Sequence, residues 1–289
     1  MKKIRKAVIP VAGFGTRFLP ITKAVAKEML PIVDTPSIEY IVREAVDSGI
    51  EEILFITNSY KKCIEDYFDV SYELESRLQE SHKLKELKKV KDISKIAKVT
   101  YTRQGEPLGT AHAIKIAKNF VGNEPFAILY GDDLIKSNTP VLKQLIEVYE
   151  KYDCNVIGVQ EVPRIDVNKY GIIDYEDEFT GKIKGLVEKP HVDEAPSTSA
   201  GLGRYIVKPE IFKEIDKLKT VNGEYLFTDA MLRLMKKQDF YACRYEGKYY
   251  DIGNKFGYLK ANIEFALDRS ELKDDLKKYI GEVYEEINK

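Results

Sequence analysis

The chain has no tryptophan, only three cysteines and three histidines, and almost no net charge, with 46 Lys and Arg against 47 Asp and Glu in 289 residues. Each scarcity excludes something. Cys63, Cys154 and Cys243 are odd in number, far apart and form no C-x-x-C pair, which argues against a disulfide framework or a zinc site and fits buried thiols in a reducing cytoplasm. His82, His112 and His191 show no metal-ligand spacing and no nucleophile–base pairing, and no G-x-S-x-G is present. The near-zero charge balance argues against a general nucleic-acid binder, but a few local cations inside a neutral protein still suffice for a small anion. No apolar run approaches the roughly 18 to 20 residues that span a bilayer. Ala7-Val8-Ile9-Pro10-Val11-Ala12 breaks at Gly13 and is followed by Arg17, Lys23 and Lys27, the wrong shape for a secretory segment. A cytoplasmic protein with no membrane partner is expected.

What is present is 44% hydrophobic residues, enough for a substantial core, and 32% charged residues, enough for a surface dense in both signs. Short apolar runs alternate with amphipathic stretches. Ala7–Val11, Ile53–Thr57, Val99–Thr102 and Phe126–Tyr130 read as strands; Ser37–Gly49, Lys61–Phe68 and Thr110–Asn119 read as helices between them, with Ser37 as N-cap and Gly49 as stop. This alternation predicts an α/β fold with a mainly parallel central sheet, whose ligands lie beyond the carboxyl ends of the strands. Residues 71–98 form a Lys/Glu-rich stretch with Leu74, Leu78, Leu84, Leu87 and Ile93 as apolar positions, read as a solvated helical excursion or a partner surface. Short strands at 171–175, 182–187 and 203–207 predict a β-rich insertion. Helices follow at 209–217 and 225–237, and two charged helices from Asn254 onward, with Ile263, Phe265, Leu267, Leu272 and Leu276 as packing positions. Without repeats or a Pro/Ser-rich linker, one unit over 1–289 is expected.

Gly13-Phe14-Gly15-Thr16-Arg17 follows the first strand directly. Glycines let backbone N–H groups approach a phosphate, Thr16 adds a hydroxyl and Arg17 a forked guanidinium. The P-loop pattern is absent, and Phe18 stands where a dinucleotide fingerprint needs its third glycine. Lys27, in Lys27-Glu28-Met29-Leu30-Pro31, can meet the same phosphate chain. Gln104 and Gly109 sit between strand and helix, where an amide reads a pyrimidine edge and a glycine lets a flat base lie on backbone. Asp132 and Asp133 at a strand end, with Asp251 far downstream, suggest a hard divalent cation such as Mg2+, which takes one or two carboxylates plus phosphate and water. Glu188-Lys189-Pro190 pairs an acceptor for hydroxyls with a cation for phosphate.

In combination these motifs are recognisable. The chain resembles the bacterial UTP–glucose-1-phosphate uridylyltransferases within the sugar-phosphate nucleotidyltransferase family, over nearly its whole length. The resemblance runs from Ala7–Gly13 with Gly15-Thr16-Arg17 and Lys27–Pro31, through Ile64–Asp69, Ser71–Glu75, Arg103-Gln104-Gly105 and Leu108-Gly109. It continues in Tyr170–Ile173, Val187–Pro190, Thr228-Asp229-Ala230 and Asp251–Lys255. The chain departs from that pattern at Ala26 and Gly131, where the branch usually has proline, and at Ala200-Gly201-Leu202-Gly203, which replaces a bulkier run.

The resemblance implies a Rossmann-like nucleotidyltransferase fold with a nucleotide-binding part (1–160), a sugar-phosphate-binding part (161–253) and C-terminal helices (254–289). It implies a base against Ala12, Gly13, Gln104 and Gly109, and a triphosphate along Gly15, Thr16, Arg17 and Lys27. It further implies Mg2+ on Asp132 and Asp251, the sugar at Gly171, Gly203 and Glu188, and its phosphate on Lys189. Arg17, Lys27 and Lys189 would be the catalytic cations; UTP and glucose 1-phosphate the substrates; UDP-glucose and pyrophosphate the products; a homodimer or homotetramer the assembly. Two rivals stand beside this expectation: the same reaction with another nucleoside triphosphate or sugar 1-phosphate, and a non-catalytic sugar-nucleotide sensor. A nicotinamide dehydrogenase is disfavoured by Phe18.

Overall fold

The computed structural model describes residues 1–289. β1 (Lys6–Pro10) leads into three short 3-10 turns and a ribbon of β2 (Pro31–Ile32) and β3 (Thr35–Pro36), then α1 (Ser37–Asp47), β4 (Glu52–Thr57) and α2 (Lys62–Phe68). An excursion of α3 (Tyr72–Glu80) and α4 (Leu84–Ser94) precedes β5 (Lys98–Arg103), α5 (Thr110–Ile116), α6 (Lys118–Val121) and β6 (Phe126–Leu129). Next come β7 (Asp133–Lys136), α7 (Val141–Tyr152), β8 (Asn155–Glu161), the hairpin β9 (Gly171–Asp177) and β10 (Lys182–Glu188), and β11 (Ser199–Val207). The chain closes with α8 (Ile211–Ile215), α9 (Phe227–Met235), β12 (Phe240–Arg244), β13 (Lys248–Asp251), α10 (Lys255–Ala266) and α11 (Lys273–Ile287).

Nine strands form one sheet in the order β5-β4-β1-β6-β11-β8-β12-β10-β9. The expected parallel core is present: β5, β4, β1 and β6 run parallel, and Ala7, Val8 and Ile9 are wholly buried, as a strand covered on both faces requires. Beyond β6 the sheet is mixed rather than parallel, because β11 runs antiparallel to both β6 and β8. The expected β-rich insertion is therefore not a separate layer. Its β11 lies in the middle of the sheet, and the start of β9 curls back so that Gly171 faces Gly201.

The sheet separates two apolar layers. Ile38, Val42 and Ala45 of α1 and Leu142 and Leu145 of α7 pack on one face; Ala111 and Ile114 of α5, Ile211 of α8, and Phe227 and Met231 of α9 pack on the other. α1 stops as expected, with Gly49 at positive φ donating its N–H to Val46 O. Ser37 does not cap it. Ser37 is the first helical residue, preceded by Pro36, and its wholly buried hydroxyl donates instead to Glu28 O at 3.0 Å. The helix read from Thr110 to Asn119 is broken at Ala117 into α5 and α6.

The 71–98 excursion is helical, but of its apolar positions only Leu87 is buried; Ile93 leans on the core while Leu74 and Leu84 are exposed. At the C terminus Ala261, Tyr258 and Phe265 of α10 cover β13, whereas Ile263 and Leu272 are exposed, and α11 buries no residue. No helix is long and apolar enough to cross a membrane.

Candidate active site

The loop after β1 is built for close approach. Val11 N donates to Ile56 O, Ala12 O accepts from Asn58 Nδ2 at 2.6 Å, and no atom lies within 4 Å of the point where a Cβ of Gly13 would stand. Gly15 is left-handed (φ 67°) and packs so tightly that a Cβ would lie 3.2 Å from both Lys27 Cβ and Thr22 Cγ2. Arg17 is exposed and has no acidic partner.

Lys27 reaches the end of β6, where its Nζ lies 2.5 Å from Asp132 Oδ2. Burial works against the Lys27 ammonium, but the Asp132 and Glu28 charges outweigh it and hold its pKa above the ordinary lysine value. Asp132 is likewise penalised by burial, and Lys27 more than compensates, so its carboxyl titrates below the usual range. Beneath them Glu28 and Lys61 form a wholly buried ion pair at 2.6 Å. Burial dominates there, raising Glu28 and lowering Lys61.

Antiparallel pairing of β13 with β7 sets Asp251 opposite Asp133. A Cβ on Gly253 would lie 2.9 Å from Asp132 Oδ2 and 3.0 Å from Asp251 Oδ1, so the two carboxylates converge on one point. Gly253 N and Asn254 Nδ2 donate to Asp251 at 2.9 and 2.8 Å, and Asn254 also caps α10. Gly257 permits this: a Cβ there would fall 2.0 Å from Asp251 O. Asp133 points the other way. Burial and the charge of Asp132 push its carboxyl up to about 7, and Tyr249 donates to it at 2.6 Å.

Gly203 (φ 54°) lies directly over that carboxyl, with an imagined Cβ 2.0 Å from Asp133 Oδ2, so its need for glycine is conformational as well as a matter of lining the cavity. Opposite, β9 and β10 pair Gly171 with Glu188, and a Cβ on Gly171 would stand 3.3 Å from Glu188 Oε2. Burial raises the Glu188 carboxyl above its ordinary range despite Lys189. Lys189 holds a left-handed backbone (φ 46°), with its N–H on Tyr170 O at 2.9 Å and its ammonium largely exposed.

These residues enclose two adjoining cavities. One of about 460 Å³ is lined by Arg17, Asp132, Gly171, Glu188, Lys189, Gly203 and Asp251. The other, of about 280 Å³, is lined by Ala12, Gly13, Gln104, Gly109 and again Asp132. Gly109 closes its wall: at φ 92° a Cβ would lie 2.7 Å from Tyr225 O. Thr16 is not brought to either; it faces a third hollow with Phe14, Asn58 and Lys61.

Residues 6–267 match the family described as nucleotidyl transferase. The chain belongs to the nucleotidyl transferase family. This nucleotidyl transferase is similar to a UTP–glucose-1-phosphate uridylyltransferase of Staphylococcus epidermidis, at 48% identity over 286 residues, 98% of this chain and 99% of the relative. A UTP-bound UGPase from Acinetobacter baumannii superposes with a TM-score of 0.89 at 39% identity, covering 96% of this chain and 99% of that one. A UDP-glucose pyrophosphorylase complexed with UDP-glucose superposes with a TM-score of 0.84 at 41% identity, covering 92% and 100%.

Sequence reasoning missed several residues that shape the site. Glu28 and Lys61 gave the signal of charges flanking apolar strands, but their pairing spans 33 residues. Arg204 and Glu44, described below, lie 160 residues apart. Thr228 stands within a quoted motif and lines the larger cavity with its hydroxyl buried and unpartnered.

Proposed function

We propose that this chain makes UDP-glucose and pyrophosphate from UTP and glucose 1-phosphate, by in-line attack of the sugar phosphate on the α-phosphorus of UTP. The observation that carries this reading is that Asp132 lines both cavities, so a nucleotide in the smaller and a sugar phosphate in the larger meet at one carboxylate. The nucleophile is already an anion, so the site needs no general base. Its problem is repulsion between two polyanions and the charge that flows to pyrophosphate.

This chain's residues answer it by position. Ala12, Gly13 and Gly109 offer backbone to the base and Gln104 its amide. Gly15, Arg17 and Lys27 take the triphosphate, with Arg17 free of any acidic partner to compete, while Thr16, turned to the third hollow, is left out. Glu188 and the backbone at Gly171 and Gly203 orient the hexose, and Lys189 holds its phosphate for attack. Orientation and fixed charge of this kind supply much of the acceleration in polar sites.

Asp132 and Asp251 suit a divalent cation: two carboxylates converge, and Lys27, Gly253 N and Asn254 brace them. Mg2+ held there would supply charge neutralisation for the reacting phosphates. Asp133, bonded to Tyr249 and turned under Gly203, is left out of that pair.

We further propose a homodimer or homotetramer in the cytoplasm. α11 buries nothing of its own and exposes Tyr279, Tyr284 and Ile287, and all three cysteines are free thiols. Incubation of the chain with glucose 1-phosphate and each of UTP, TTP, CTP, ATP and GTP tests the reaction. UDP-glucose identified by mass, with UTP the best donor, supports the proposal; bound UDP-glucose without turnover would favour a sensor.

A further inference from the structure

Gln104 directly follows β5, and its N–H is pinned to Thr57 O at 2.8 Å. Its side-chain amide has two hydrogens, and both are used. Nε2 lies 3.2 Å from Gly109 O and 3.1 Å from His112 Nδ1. The reverse orientation of the amide would set its carbonyl against the Gly109 carbonyl, two acceptors face to face, so the nitrogen must be the end turned inward. His112 Nδ1 is then an acceptor and the ring proton sits on Nε2. Both partners are rigid: His112 lies in the first turns of α5, and the segment before it is clamped by Tyr225 N to Leu108 O (2.8 Å) and Ala111 N to Tyr225 O (3.0 Å). The carbonyl Oε1 is the one polar end of Gln104 left without a protein partner, on a side chain that lines the smaller cavity.

We infer that His112 is a positioning residue that locks the Gln104 amide so that it offers the base an acceptor only. The inference rests on the base site proposed above and deepens it. A free glutamine amide reads a pyrimidine edge either way round: it accepts from the N3–H of uracil, or flips and donates to the unprotonated N3 of cytosine. With both amide hydrogens spent on Gly109 and His112, flipping breaks the Gly109 bond, opposes two carbonyls and forces the His112 ring proton onto Nδ1. Uracil keeps its partner, and cytosine meets lone pair against lone pair. Selection against cytosine then comes from a histidine that need not touch the nucleotide. The same lock does nothing to separate uracil from thymine, which share the N3–H.

The test is kcat/KM for UTP and for CTP, with glucose 1-phosphate saturating, in the full chain and in His112→Leu, His112→Asn, His112→Gln and Gln104→Ala. Asparagine restores an acceptor near the Nδ1 position; glutamine puts one near Nε2 instead. We expect His112→Leu and His112→Gln to lower the UTP-to-CTP ratio at least tenfold, through a raised KM for UTP and a lowered KM for CTP, while His112→Asn stays within about threefold of the parent, because a site built to bond an N–H rejects an analogue lacking it only while its acceptor is held in place. Should His112→Leu fail to fold, the Asn and Gln variants carry the comparison alone. A ratio unchanged in His112→Leu and His112→Gln, or equal loss in all three His112 variants, overturns the inference. Gln104→Ala separates the two readings: if it leaves the ratio intact, base reading by Gln104 is what fails; if it abolishes the ratio while the His112 variants do not, only the lock fails.

Discussion

Arg204 is wholly buried on β11 and makes four bonds there. Its Nε and Nη2 donate to Glu44 Oε1 and Oε2 at 2.9 and 2.8 Å, Nη2 also donates to Asp133 O at 2.8 Å, and Nη1 to Gly203 O at 3.1 Å. Glu44 has one other partner, Leu142 N at 3.1 Å. Arg204→Met keeps the volume and removes the charge, leaving the Glu44 carboxylate buried with that single N–H. Breaking one side of a buried pair costs about 3 to 5 kcal/mol. At about 2.1 cal/mol/K per residue, 289 residues unfold with an entropy near 0.6 kcal/mol/K, so Tm should fall by roughly 5 to 8 °C. Adding Glu44→Leu removes the stranded charge, and the double variant should melt above the single one, since a buried ion pair replaced whole is often neutral. Thermal unfolding followed by circular dichroism reads both. A single variant within about 1 °C of the parent, or a double variant melting below it, would refute the reasoning.

Lys189→Ala should slow turnover by about a hundredfold or more, the loss of one fixed donor of about 3 to 4 kcal/mol, and near-parental turnover in a steady-state assay would remove Lys189 from the phosphate site. Asp132→Asn should abolish magnesium-dependent activity, and an unchanged magnesium titration would take Asp132 out of the cation pair. Gly203→Ala forces a Cβ onto Asp133 at 2.0 Å in a left-handed backbone, so it should lower Tm and activity together; a parental melting curve contradicts this. For Glu188 the sign is set by burial: its folded pKa is raised, so its contribution to stability is present below the ordinary glutamate range near pH 4 and is lost as pH rises through the raised value. Glu188→Gln should therefore melt higher than the parent at pH 7 and no higher at pH 4, while raising KM for glucose 1-phosphate. A lower Tm at pH 7 would reverse the assignment.

The parallel core was legible because strands covered on both faces are continuous apolar runs, as Ala7-Val8-Ile9 and Ile53–Ile56 show. The motifs at their carboxyl ends were legible for the same reason: each strand announces the loop that follows it. What the chain hides is pairing across distance. Nothing local says that Lys27 meets Asp132 105 residues on, or that Arg204 meets Glu44. Sheet order beyond β6 was equally silent, because β11 carries a buried run that either a central parallel or a central antiparallel strand would show. Ser37 misled for a local reason: its sequence position suits a cap, but burial and Pro36 gave its hydroxyl a different acceptor. α3 of the excursion and α11 show apolar periodicity, yet neither helix buries a residue against the rest of this chain.

The central claim is that a sugar phosphate in the larger cavity attacks the α-phosphorus of a nucleotide in the smaller one. Isotope partition tests it most directly. UTP labelled at the α- or the γ-phosphorus is incubated with glucose 1-phosphate and Mg2+, and the products are separated. Attack at the α-phosphorus puts α-label in UDP-glucose and γ-label in pyrophosphate, in equal amounts. Alpha-label outside UDP-glucose, γ-label in free phosphate, or binding of UDP-glucose with no partition at all would contradict it.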